Sequence, residues 1–106
     1  MAVTCTTLED VRTNIDSLDQ QIVTLLAERG RYVSQAARFK KDTDGVKAPQ
    51  RVEQVITKVR GLSETVGANP EVTEQVYRAM IAAFIQQELA EHAALTKMSD
   101  KPNPSN

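Results

Sequence analysis

Residues 25–41, LLAERGRYVSQAARFKK, continue an amphipathic helix but carry an arginine where the pattern requires an apolar residue. Upstream, Leu8, Val11, Ile15, Leu18, Ile22 and Leu25 recur at alternating steps of three and four, which is the spacing of one helix face. Arg29 takes the next place in that series and Tyr32 the one after it. Two readings of Arg29 stand side by side. Its aliphatic stem packs in the seam while its head reaches water or an acid such as Glu28 of a neighbouring helix. Alternatively the guanidinium is matched by an anion that arrives as a ligand, because a buried charge without a counter-charge is expensive.

Around this stretch the sequence predicts an all-α chain of three helices, one long, one short and one medium. The long helix opens at TTLEDV, with Thr6 or Thr7 as N-cap and Glu9 and Asp10 in the first turn, and runs to about Lys41. There DTDG supplies turn chemistry and Gly45 the stop. Such a helix is roughly 50 Å long at 1.5 Å per residue. A chain of 106 residues does not cover it, so a second subunit is expected. The short helix opens at APQRVEQVITKV with Pro49 in its first turn, presents Val52, Val55, Ile56 and Val59, and ends at Gly61. The third opens at ANPEV, with Asn69 as N-cap and Pro70 first in the helix. It carries Val72, Val76, Tyr77, Met80, Ile81, Phe84 and Ile85 and fades near Leu95. Residues 1–95 thus form the helical domain, and the polar, proline-containing residues 96–106 are expected to be a disordered tail.

Composition narrows the function. Thirteen basic residues against fourteen acidic give a net charge of −1, so nothing favours nucleic acid. The leader MAVTCTT has neither a basic start nor an apolar run, and no stretch is long enough to span a bilayer; a cytoplasmic protein away from membranes is expected. Cys5 is the single cysteine, which leaves no internal disulfide and no cysteine metal site. His92 is the single histidine, has no companions at ligand spacing and receives no role. There is no nucleophile triad, phosphate loop or cofactor motif, so no metal and no cofactor are expected.

The charged residues that break the apolar pattern are therefore the candidates. Lys40 follows Arg29 by almost three turns, on nearly the same face and roughly 16 Å along the axis. Together they suit a small molecule with two negative charges. Lys41 is an alternative some 100° round the helix, and either lysine alone also reads as an ordinary helix C-terminal cation. Arg12 precedes Arg29 by about 25 Å on another face. It is either a solvated first-turn residue or, in a dimer of antiparallel long helices, a neighbour of the other subunit's Arg29. Glu88 extends the stripe of Tyr77, Ile81 and Phe84, with Gln87 beside it. A carboxyl on an apolar face pairs with a cation or takes a proton; equally, the stripe ends at Phe84 and Glu88 is wet.

The segments LEDVRTNIDSLDQQIVTLLAERGRYV, ARFK and APQRVEQV resemble the all-helical chorismate mutases, especially the branch that includes isochorismate pyruvate lyase. The resemblance extends from about Leu8 to Leu89. It rests on Arg-x-x-Ile-Asp-x-x-Asp from Arg12 to Asp19 and on Leu-x-x-Arg from Leu26 to Arg29. It implies an intertwined helical homodimer with two equivalent sites. In such a site Arg29 binds one substrate carboxylate and Arg12 crosses from the other subunit to the second. Lys40 hydrogen-bonds the breaking ether oxygen, Arg51 adds a further cation, and Glu88 stands where the family usually has glutamine and sometimes glutamate. Many chorismate mutases carry an acid directly after the second-helix arginine, where it holds the substrate hydroxyl; here that residue is Val52, as in the lyase branch, and Glu53 lies one step further round. Glu88 donates to an oxygen only when protonated, which makes activity depend on pH. The resemblance implies rearrangement of chorismate to prephenate first, and release of salicylate and pyruvate from isochorismate second. A helical dimerisation module without activity explains the long seam but not the cations that interrupt it.

Overall fold

Helix starts follow the local chemistry closely. In the computed structural model, which describes residues 2–40 and 42–100 and the side chains as far as residue 94, every regular element is helical. Four helices follow in order: α1 Leu8–Ala37, α2 Thr43–Lys47, α3 Pro49–Val66 and α4 Pro70–Asp100. Of the two threonines, Thr7 caps α1, its hydroxyl accepting from the Asp10 N–H at 3.0 Å, while Thr6 donates to the Asp10 carboxylate at 3.0 Å. Those hydroxyls hold the Asp10 carboxyl below its ordinary value. Asn69 caps α4 by accepting from the Glu71 N–H at 2.9 Å.

Helix boundaries depart from expectation, in three places with a local cause. The long helix stops at Ala37, not near Lys41, in a tighter turn where the Phe39 and Lys40 N–H groups bond the Ala36 and Ala37 carbonyls. DTDG is not a plain turn. Asp42 caps a one-turn helix, its carboxylate accepting the Gly45 N–H at 2.8 Å. Nor does Gly61 end α3. It sits exposed mid-helix, and the chain continues to Val66, where Gly67 adopts φ 77°. Bonds from Ala68 N–H to Ser63 and from Gly67 N–H to Glu64 close a left-handed glycine cap there. A glycine within a helix costs only about 1 kcal/mol, and the further turn brings Ser63 into the core. Lys41 and residues 101–106 lie outside the described residues; α4 itself runs past Leu95 to Asp100.

The chain divides into two units, residues 1–35 and 36–106. The first is α1 up to Gln35. No residue of α1 is buried; Leu18 and Ile22 are each 54% exposed, and Leu8, Ile15, Leu25 and Tyr32 are also exposed. In the second unit, α3 and α4 form an antiparallel hairpin with α2 laid on α4. Its buried apolar side chains are Val46, Ile56, Val59 and Ile81. A core of that size is small for independent stability.

Ion pairs run along the outside of the hairpin. Arg78 donates to both oxygens of Glu53 at 2.9 Å each and through Nε to Glu74 at 2.7 Å. Arg60 bonds Glu74 and Glu71, each at 2.7 Å. The Arg78 hydrogen bonds, joined at Glu74 by Arg60, hold the Glu53 and Glu74 carboxyls below their ordinary value of 4.5. A depressed carboxyl contributes stability that is complete above its unfolded value and is lost as pH falls through its folded one. The melting temperature is therefore expected to fall on acidification below about pH 4.5. The fall should be shallower in Arg78→Met, and in high salt, since these groups are exposed. Identical acid curves for wild type and Arg78→Met in thermal melts would show that the network adds nothing.

Candidate active site

Lys40 and Glu88 meet. Forty-eight positions apart in sequence, they bring the Lys40 ammonium to 3.0 Å from Glu88 Oε2. The Glu88 side chain is only 6% exposed, and that of Lys40 is 24% exposed. Of the two sequence readings of Glu88, the structure therefore has the one in which the carboxyl lies on the inward stripe, two turns beyond buried Ile81, and is matched by a cation. Truncating either partner has unequal costs. A lysine that keeps a path to water tolerates losing its acid, whereas a carboxylate buried as deeply as Glu88 is left uncompensated without its lysine.

The short helix α2 shapes this pair, and sequence reasoning missed it. A single helical turn has too few positions to show a period, although Asp42 ahead of Gly45 is itself a capping signal. Val46, 3% exposed, anchors the turn in the core. A Cβ placed on Gly45 would stand 3.4 Å from Lys40 Cβ and 3.7 Å from Lys40 Cγ, so the glycine lies directly over the lysine stem.

The other candidates are distributed as follows. Arg51 is exposed in the first turn of α3, and Val52 beside it is half-buried on the face that carries Ile56 and Val59. Glu53 lies on the opposite flank of α3 from Arg51, some 200° away by helical geometry, and both its oxygens are taken by Arg78. Gln87 is exposed, its amide donating to Glu91 at 3.4 Å. On α1, Arg12 is exposed and Arg29 half-buried. Among the described residues no group of acids, histidines or cysteines is placed to hold a metal ion, and no helix is long and apolar enough to cross a membrane.

The comparison with known families is specific. The model of the family described as chorismate mutase type II matches residues 11–89. The chain belongs to that family. Within it, the chain is similar to the isochorismate pyruvate lyase of Pseudomonas aeruginosa, with 32% identity over 85 residues that cover 80% of this chain and 84% of the relative. Lys40 and Glu88 both fall inside the span matched to the chorismate mutase type II model, as do Arg12, Arg29, Arg51, Val52 and Gln87.

Proposed function

We propose that this protein is a chorismate mutase that rearranges chorismate to prephenate at a site built round Lys40 and Glu88. The observation that carries the reading is the 3.0 Å pair of an ammonium and a carboxyl on a buried face. In this reading the substrate's ether oxygen comes between the two groups and accepts from the Lys40 ammonium, with the Glu88 carboxyl on its other side. In the rearrangement the ether C–O bond breaks while a C–C bond forms within the same molecule. No nucleophile is needed and no proton is lost. Catalysis consists of holding the reactive conformer and stabilising charge that gathers on the ether oxygen. Arg29 and Arg12 are assigned to the two substrate carboxylates, Arg12 acting from the second subunit of a homodimer, with Arg51 as a supporting cation beside Val52. The exposed apolar stripe of α1 supports the dimer, because an uncovered row of this length is unusual on a monomer. Gln87 is a reserve donor, one that would have to turn away from Glu91.

A second reading, isochorismate pyruvate lyase, is favoured by two observations. Val52 offers no acid to a substrate hydroxyl, and Glu53, the nearest carboxylate along α3, is held by Arg78. The lyase step breaks the same ether bond while a hydrogen passes from the ring to the departing enolpyruvyl carbon, giving salicylate and pyruvate; it makes use of the same cations.

One assay separates the readings. Folded protein is incubated with chorismate and, separately, with isochorismate, and the products are identified. Prephenate from chorismate is the expected result. Salicylate and pyruvate without prephenate would transfer the assignment to the lyase. Consumption of neither substrate by folded dimer would overturn both and leave a dimerisation module.

A further inference from the structure

Gly45 has no conformational reason to be glycine. Its φ is not positive, and it lies inside a helix, where glycine is a poor choice. What distinguishes the position is its neighbour, the Lys40 stem at 3.4 Å from where a Cβ would begin, with Asp42 Oδ1 at 3.5 Å. Asp42 in turn holds the Gly45 N–H at 2.8 Å and starts α2, while Val46 fastens the turn to the core. Beyond it, Ala48 closes α2 in a left-handed conformation, φ 36°, with its N–H on the Asp44 carbonyl at 2.9 Å, and leads directly into Pro49. The turn is thus fixed at both ends. Its glycine faces the aliphatic part of the one lysine paired with Glu88.

The geometry points to Asp42 and Gly45 as positioning residues for Lys40. The capped turn sets where the ammonium stands, and the Lys40 stem lies so close to Gly45 that one further carbon fits there in ordinary contact but a branched side chain would press on the stem. This inference rests on the proposed role of Lys40 at the ether oxygen. A donor displaced by a fraction of an ångström loses much of its effect on a transition state, so the turn acts on rate through Lys40 without touching substrate.

Four variants of the full-length protein test it. Asp42→Ala removes the cap and Asp42→Ser keeps it. Gly45→Ala adds a Cβ at ordinary contact distance, whereas Gly45→Val branches from that carbon against Lys40 and Asp42. Two readouts are taken well below each variant's melting temperature. One is turnover of chorismate and isochorismate; the other is water exchange of the Lys40 ammonium by nitrogen-15 NMR, the signal being assigned by its loss in Lys40→Met. Asp42→Ala and Gly45→Val are expected to lower kcat roughly tenfold with little change in KM and to speed ammonium exchange. Asp42→Ser and Gly45→Ala should remain near wild type in both. If Asp42→Ala and Gly45→Val lower only the melting temperature, with kcat and ammonium exchange unchanged, α2 is merely structural and the inference is overturned. If wild type consumes neither substrate, the functional reading fails instead. The ammonium signal then still decides whether α2 positions Lys40: unchanged exchange in Asp42→Ala and Gly45→Val overturns the inference, and faster exchange in both supports it.

Discussion

Mixed and allowed to exchange subunits, Arg12→Ala and Arg29→Ala proteins should recover turnover that neither has alone. On the proposed assignment, each homodimer would lack one carboxylate-binding arginine at both sites. A charge-assisted donor lost from such a site costs about two to three orders of magnitude in rate. Both arginines stand on α1, about 25 Å apart along its axis by helical rise, so one small dianion does not touch both in a single chain. If the sites are shared across a twofold axis, a heterodimer holds one site with both arginines and one with neither. Its activity should then be about half that of wild type. Turnover is followed by loss of chorismate, and exchange by mass spectrometry of differently labelled chains. Confirmed exchange with no recovery would mean that Arg12 does not serve its neighbour. Circular dichroism on Arg29→Ala alone supplies a control: a dead but folded protein is the expected outcome, and an unfolded one would make Arg29 a residue of the seam.

Replacing Glu88 separates the donor from the charge. On the proposed assignment, a carboxylate at position 88 would face the ether oxygen with like charge, whereas an amide there would donate to it. Glu88→Gln keeps a donor at every pH, so its activity should depend less on pH than that of wild type and remain substantial near neutrality. Glu88→Ala removes the donor and should be slower by about two to three orders of magnitude throughout. Its fold is expected to survive, since Lys40, a quarter exposed, reaches water once its partner is gone. The measurement is kcat against pH for the three proteins. Superimposable profiles for wild type and Glu88→Gln would remove Glu88 from the ether oxygen, and Gln87→Ala becomes the next variant to make.

Legibility in the sequence tracked the range of the interactions. Helix starts at Thr7, Pro49 and Pro70 were readable because each is decided within four residues, by a hydroxyl, an amide oxygen or a proline ring. Glu88 could be marked as out of place on its stripe, but whether it was wet or buried depended on Lys40, 48 positions away. Gly61 reads as the end of α3 in the sequence, but packing against α4 carries the helix through it to Val66. The Glu53–Arg78 pair spans 25 positions and left no periodic trace. Its effect on the site is indirect, in that it occupies the one carboxylate next to Val52. The helix α2 was hidden for the opposite reason: it is so local that a single turn and an ordinary loop share the same composition.

The long helix has a consequence for how the protein comes into being. It is made before α3 and α4, and none of its residues is buried by its own chain, so its leucines and isoleucines stay exposed unless another molecule covers them. If that molecule is a second copy, completing the fold is a bimolecular step whose rate rises with the amount of protein already made. Newly synthesised chains would then be most vulnerable to aggregation and proteolysis when they are scarce, and dilution alone would lower specific activity.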